Sequence, residues 1–340
     1  MITAMSRDIH SQPTLLEQRW QSWQQQARLL TARLAGRRSV VLVGRGSSAH
    51  ACMFGSYLFA AYGGPHPIEL RSWVSSDATI GVANEKPSWD DAVALAYSAS
   101  RDSTEVATAA RWLRDRGAYV IGVTTNSGED GQLERAAHEL FRLDVGEEEA
   151  PVATKAFAAQ LFGTAALCGL SLAGGAGESV AAMKAILKAD FAEQLVDFLD
   201  GARQIVWVAR GPAVAAALDA ALKVQQAAGR LSAGYSSPEL LHGPIHAVGP
   251  EDRVVLLSDC DEVVDSLAAV AVSLVVRRIP FAVVGPAAAK EGGKLEVSIR
   301  VPMPPQRWAR TPILALVSQL AALGLAQRRD ASLGYGSKSA

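Results

Sequence analysis

The chain has little cysteine, almost no net charge and no long apolar run. Cys52, Cys168 and Cys260 are the only cysteines in 340 residues; they are scattered and form no C-x-x-C pair. They read as buried, reduced thiols of a cytoplasmic protein. The formal net charge is −1 with no basic block, which argues against nucleic acid as a partner. No helix-turn-helix precedes the first expected sheet, so a transcription-factor role has no support. The N-terminus carries Asp8 and Glu17 and lacks the continuous apolar core of a signal peptide. The longest apolar runs, such as 267–276, reach about half of the roughly 20 residues that span a bilayer, so no membrane partner is expected. What is present is 49% hydrophobic and 20% charged residues, enough for a sizeable core. The length suggests two domains of roughly 150 to 170 residues.

The chain is organised around Val40-Val41-Leu42-Val43-Gly44-Arg45-Gly46-Ser47-Ser48-Ala49-His50-Ala51. Apolar β-formers run into a glycine-bounded turn, and helix-compatible residues follow. This is a buried parallel strand, a tight loop and a helix N-terminus. Such a junction offers backbone N–H groups and a positive dipole end to an anion, most often a phosphate. Gly44, Gly46 and Ala49 also satisfy G-x-G-x-x-A, with Glu69 expected near the end of the next strand, so a dinucleotide loop and a purely structural turn are alternatives. The paired hydroxyls of Ser47 and Ser48 suit a small phosphate monoester better.

Residues 14–34 form an amphipathic entry helix. Strands are then expected at 40–43, 68–71, 93–97, 119–123 and 140–143, with helices starting near Ser47, Asp77, Thr104 and Glu129. A small-residue-rich helix follows over about 150–172, broken at Gly174-Gly175-Ala176-Gly177. Ile205-Val206-Trp207-Val208-Ala209-Arg210-Gly211-Pro212 then echoes the first strand and turn, with further strands at 254–257, 281–284 and 297–301 and a closing helix over about 311–328. The fold class is therefore α/β: two doubly wound parallel-sheet domains in tandem, helices on both faces. The expected division is an N-terminal helical segment 1–36, a first domain 37–195 and a second domain 196–340.

A second cluster of hydroxyls, Ser98, Ser100, Ser103 and Thr104, stands at the carboxyl end of the strand at 93–97. Ligands of open α/β sheets bind outside the carboxyl ends of strands, so this cluster should converge with Ser47 and Ser48. N-capping of a helix would use one such hydroxyl, not four. Thr124, Thr125, Asn126 and Ser127 make a third polar strand end, read as structural.

Five segments in order carry a family resemblance. Met5–Pro13 is similar to M-x-K/R-E-I-x-E-Q-P, with Asp8 for the glutamate. Gly46-Ser47-Ser48 is similar to G-T/S-S, and 98–103 to S-Q-S-G-E-T. Residues 151–157 are similar to V-A-S-T-K-A-F, and Glu239–Pro244 to E-L-K-H-G-P. The chain thus resembles the sugar isomerase (SIS) family, specifically the isomerase half of glucosamine-6-phosphate synthase and its stand-alone amino-sugar-phosphate relatives. The resemblance implies two SIS domains, a homodimer with shared active sites, a 6-phosphorylated sugar and no cofactor or metal. It assigns phosphate and sugar contacts to Gly46, Ser47, Ser48, Ser98, Ala99, Ser100, Ser103, Pro151 and Ala153. It makes His242 the ring-opening acid/base and Lys338 the lysine beside the sugar carbonyl. A histidine titrating near neutrality suits ring opening, and a carboxylate suits C1–C2 proton transfer. Lys155 is read as fixing a loop, Glu239 as a capping or orienting group, and His50 and His246 as structural.

The chain departs from the family at the catalytic helix. The pattern E-x-x-x-K-x-x-E is here Asp219, Lys223 and Gln226, and Gln226 cannot accept a proton at neutral pH. Asp219, two turns back on the same helix face, is a displaced substitute. Ala99 replaces a family glutamine. Without a preceding glutaminase domain, deamination, deglycation or isomerisation is favoured over synthesis. The expectation is an amino-sugar-phosphate isomerase or deaminase acting on a hexosamine 6-phosphate. The alternatives are a non-catalytic phosphosugar sensor and a fructosamine-6-phosphate deglycase. A nicotinamide-dependent dehydrogenase would require NAD binding.

Overall fold

The computed structural model describes residues 2–34, 36–62, 69–72, 88–99, 103–125, 131–189, 191–260, 265–286 and 295–332. The expected helix near Asp77 lies outside them. Contacts divide the chain into two compact units. One comprises Thr14–Glu148 and Lys155–Ala176; the other comprises Met1–Pro13, Glu149–Thr154 and Gly177–Ala340. The division is not one cut along the chain, because the first thirteen residues and the 149–154 loop group with the second sheet.

In the first unit, strands β1 (Ser39–Val43), β2 (Glu69–Ser72), β3 (Ala92–Ser98), β4 (Tyr119–Thr124) and β5 (Glu139–Arg142) form one sheet in the order β2-β1-β3-β4-β5. Every pairing is parallel. β1 and β3 are buried along their whole length, as continuous apolar strands covered on both faces must be. Helices α2 (Ser47–Tyr62), α3 (Thr104–Arg114), α4 (Gln132–Ala136) and α5 (Lys155–Leu167) follow the strands. Val106, Ala109, Ala110 and Leu113 of α3 pack with Val41, Val43, Ala94 and Val120 in the core on one side of the sheet.

The second unit repeats the plan. Strands β6 (Ile205–Ala209), β7 (Ser232–Ser236), β8 (Arg253–Leu257), β9 (Phe281–Gly285) and β10 (Leu295–Arg300) run in the order β10-β9-β8-β6-β7, again all parallel. Read from the other edge this is the same 2-1-3-4-5 order, so the inferred duplication is present in topology. β7 is the one strand absent from the sequence reading. Ser232-Ala233-Gly234-Tyr235-Ser236 lies at the sheet edge, mostly half-exposed, and carries no apolar alternation. Helices α6 (Ala176–Lys188), α7 (Phe191–Leu199), α8 (Val214–Lys223), α9 (Ser237–Leu241), α10 (Asp265–Val276) and α11 (Arg310–Ser332) complete the unit. The span over 307–330 is long and apolar enough to cross a bilayer, but 89% of its apolar window is buried in the protein, which marks a core helix.

Helix α1 (Ile2–Thr31) is longer than expected. It continues back through Pro13 to Ile2 instead of beginning near residue 14. A proline inside a helix forfeits one hydrogen bond. Tertiary bonds hold the turn before it: Asp8 Oδ2 accepts from Ala150 N–H at 2.9 Å, and Gln12 Nε2 donates to Gln319 Oε1 at 2.6 Å.

Candidate functional site

In the first unit the strands that lead to the two hydroxyl clusters are neighbours. β1 and β3 are hydrogen-bonded, with Val43 in register with Ala96, so Ser98 at the end of β3 lies two residues beyond the level at which β1 ends. This junction, where the strand order reverses, is where ligands of such sheets bind. Gly44 permits the first turn: a Cβ there would lie 2.6 Å from the Ser48 carbonyl oxygen. Gly46 holds φ +57°, a left-handed conformation that favours glycine. Ser47 and Ser48 then open α2, both buried, and Ser98 ends β3, also buried.

The amides of this turn are only partly open to an anion. Ser48 N–H donates to Arg45 C=O at 3.1 Å and Ala49 N–H to Gly46 C=O at 2.9 Å. Two of the backbone donors expected to face an anion are thus spent within the turn itself. Ser103 is the N-cap of α3, yet its side chain makes no capping hydrogen bond, so its hydroxyl is not spent on the helix. The Arg45 guanidinium reaches from the first turn to Glu105 in the first turn of α3 at 2.8 Å. Thr125, just after β4, donates its hydroxyl to Ala99 C=O at 3.2 Å; Asn126 and Ser127 of this third strand end lie outside the described residues. Ser100 and Lys338 lie outside the described residues.

One residue of this region was given no role from the sequence. Gln160 on α5 is fully buried and donates Nε2 to Ser48 Oγ at 2.9 Å. The signal was available: every residue of α5 is buried, so any polar side chain on it must bond inside the protein. Lys155, as expected, ties a loop, with Nζ donating to Glu147 C=O.

Glu69 counts against the dinucleotide alternative. It begins β2, in register with Ser39 at the start of β1. It therefore sits at the amino edge of the sheet, whereas a ribose-binding acid belongs at the carboxyl edge beside the glycine turn.

In the second unit, the opening helix positions the loop that carries Pro151 and Ala153. Besides the Asp8–Ala150 bond, Arg7 pairs with Glu149, and Gln319 Nε2 donates to Thr154 C=O at 3.3 Å. Asp219 and Lys223 form an ion pair of 2.9 Å on α8, with side chains 2% and 0% exposed. A π-helical turn, Val224–Ala228, follows directly, and Gln226 on it is exposed. The shared helix face inferred for Asp219 and Gln226 is thereby corrected. The wider i→i+5 winding breaks the α-helical register, leaving Asp219 buried and Gln226 in solvent. Glu239 completes a capping box with Ser236: its carboxylate accepts Ser236 N–H at 3.1 Å, and Ser236 Oγ accepts Glu239 N–H at 3.4 Å. Donation to it from the Ser236 hydroxyl and from the Ser236 N–H holds the Glu239 carboxyl below the usual carboxylate range. His242 is the exposed C-cap of α9 and precedes Gly243.

The second sheet repeats the first turn without its chemistry. Gly211 has φ +58°, matching Gly46, but Pro212 and Ala213 stand where Ser47 and Ser48 do. After β8, Asp259 is buried and bonded by Arg307 at 3.1 Å, and Arg310 donates to its carbonyl at 2.8 Å. A separate cleft of about 510 Å³, lined among others by His10, Val196, Leu323 and Arg328, includes none of the expected site residues. Among the described residues no group of three or more His, Cys, Asp or Glu is placed to hold a metal ion.

The profile of the SIS domain matches residues 33–168 and 198–326. The isomerizing glutamine–fructose-6-phosphate aminotransferase of Aeropyrum pernix is 31% identical over 281 residues, 76% of this chain and 43% of that protein. The chain therefore spans under half the length of that relative. The C-terminal domain of glucosamine-fructose-6-phosphate aminotransferase from Francisella tularensis superposes with TM-score 0.79 at 17% identity, covering 96% of each chain. Glucosamine-6-phosphate deaminase from Thermotoga maritima gives TM-score 0.70 at 20% identity, covering 96% of this chain and 95% of that one. At these identities the two structures establish a common fold and nothing finer.

Proposed function

The chain belongs to the SIS domain family, and from that premise we propose that it is an amino-sugar-phosphate isomerase or deaminase acting on a hexosamine 6-phosphate. The observation that carries the reading is the adjacency of two hydroxyl-bearing turns at the carboxyl ends of β1 and β3, bridged by Arg45 and Glu105. Ser47, Ser48, Ser98 and Ser103 would donate to the phosphate, with Ser100 as a further donor. Gly46 lets the backbone approach, and Ala99 leaves room where a larger side chain would stand. Pro151 and Ala153 would line the sugar. No cofactor is invoked. A cytoplasmic homodimer with shared active sites is the proposed assembly.

In the proposed reaction His242 moves a proton between the ring oxygen and O1 and opens the ring. A proton then leaves C2 and is returned to C1, giving an imine at C2. Water adds there, ammonia leaves, and a ketose 6-phosphate remains. Lys338 would stabilise charge beside C1. Lys223 and Asp219 neutralise each other and would set the position of the π-turn that presents Gln226. Incubation with glucosamine 6-phosphate, other hexosamine 6-phosphates and fructosamine 6-phosphates, assayed for ammonia and ketose phosphate, tests the proposal. Absence of product across that panel would remove the enzymatic reading.

One observation favours a second reading. Asp219 is locked to Lys223, Glu239 is occupied by its capping box and Gln226 has no proton affinity. A phosphosugar-binding protein without turnover would look the same. It would show saturable stabilisation by hexose 6-phosphates in thermal unfolding, with no product formed.

A further inference from the structure

Helix α5 is apolar around most of its circumference and wholly buried. Its interior polar side chains are Gln160 and Thr164. Thr164 Oγ1 donates to the Gln160 carbonyl at 2.6 Å, so the 2.9 Å contact with Tyr97 is a donation from the tyrosine hydroxyl. That chain of bonds anchors β3 to the turn of α5 from which Gln160 projects. Gln160 Nε2 then donates to Ser48 Oγ at 2.9 Å, while its Oε1 meets no donor among the described residues. Gly55 allows the two helices to lie this close: a Cβ there would stand 3.1 Å from Thr164 Cγ2.

A serine hydroxyl has one proton and two lone pairs. With one lone pair taken by Gln160, the Ser48 proton must point elsewhere. A buried amide with an unmatched oxygen costs stability that a leucine at the same place would not. We propose that Gln160 is a positioning residue of the phosphate grip: it fixes the rotation of the Ser48 hydroxyl so that its proton is presented to a phosphate oxygen. This rests on the phosphosugar reading above. Gln160 touches no ligand itself; it acts through Ser48.

The test is calorimetric titration of the full chain with glucosamine 6-phosphate and with glucosamine, for wild type, Gln160→Leu, Gln160→Glu, Ser48→Ala and the Gln160→Leu/Ser48→Ala double variant. Thermal unfolding checks that each variant folds. Gln160→Leu should weaken the phosphate ester about tenfold, the worth of one lost charge-assisted hydrogen bond, and leave glucosamine unchanged. In the Ser48→Ala background the same substitution should have no further effect. Gln160→Glu, of the same size, offers only acceptors when ionised and would capture the Ser48 proton. Its deficit relative to wild type should shrink as pH falls and the carboxyl becomes a donor again, a response that a packing role would not produce. If Gln160→Leu does not fold, this isosteric variant carries the test. Variants that match wild type toward the phosphate ester, equal losses for ester and free sugar, or additivity with Ser48→Ala would each overturn the proposal. A wild type that does not distinguish the ester from the free sugar would remove the phosphosugar reading, and this inference with it. A discriminating wild type with indifferent variants would remove this inference alone.

Discussion

Arg45 stands between two turns that each carry hydroxyls, and its partner Glu105 is 2.8 Å away. An exposed pair of this kind contributes about 0–1 kcal/mol to stability, so Arg45→Ala should leave unfolding nearly unchanged. If the turns hold a phosphate dianion, the same variant should weaken hexosamine 6-phosphate binding about three- to tenfold and flatten its salt dependence, measured by titration at low and high salt. At the other end of the proposed chemistry, Gln226→Glu places a carboxylate on the exposed π-turn. The enzymatic reading predicts faster product formation in this variant, and the binding reading predicts product where wild type gives none; coupled detection of ammonia separates them. The hydroxyls of the site were readable in the sequence because strand, glycine and serine fall in a fixed local order. That the Gln160 amide is buried was readable from the apolar residues around it; its partner was not, because that depends on which helix α5 packs against, and no local spacing encodes that. Gln226 was readable as a residue that offers no base. Its separation from Asp219 depends on a π-turn that the sequence does not announce.

Among the elements, α8 concentrates the largest electrostatic risk. Lys223→Met removes the ion-pair partner of Asp219 in a site with almost no solvent access and should cost about 3–5 kcal/mol in denaturant unfolding. Replacing both, Asp219→Leu with Lys223→Met, should recover most of that loss, since two apolar groups need no partner. The turn from β1 to α2 is limited by space instead of charge. Gly44→Ala would drive a methyl group into the Ser48 backbone, with the carbonyl oxygen 2.6 Å away. It should cost about 1–3 kcal/mol and disturb phosphate binding together with stability. Most of the parallel strands were legible as short apolar runs because burial on both faces demands them. β7 escaped because an edge strand of Ser, Ala, Gly and Tyr satisfies its pairing through backbone alone. The extension of α1 through Pro13 escaped because Asp8 and Gln12 find partners some 140 and 300 residues further along the chain.

For the molecule as a whole, the groups that titrate in the acid range pull stability in one direction. Burial alone would raise the Asp252 carboxyl, but bonds from the Gln204 amide, Gly249 N–H and Arg203 hold it below the ordinary range. Glu239 is lowered by Ser236, and Glu139 by the Tyr119 hydroxyl and Arg33. His138 is lowered by burial and by Arg114, and its Nδ1 accepts Val120 N–H. The unfolded chain binds protons at these groups more readily than the native one. Stability should therefore decline as pH falls below about 6.5, where unfolded histidine takes a proton, and more steeply near about pH 4, where unfolded carboxylates do. Denaturant midpoints measured from pH 7 to pH 3 should show both phases, and His138→Gln should remove the first. The thiols follow from burial: Cys52 and Cys168 are pushed well up, and Cys260 to about 11. Native protein should thus resist thiol reagents at neutral pH until it unfolds. The matching φ of Gly46 and Gly211 shows one backbone bend built twice. In one unit two hydroxyls follow the bend; in the other a proline ring and a methyl group do, so the repeated scaffold carries polar groups on one side of the duplication alone.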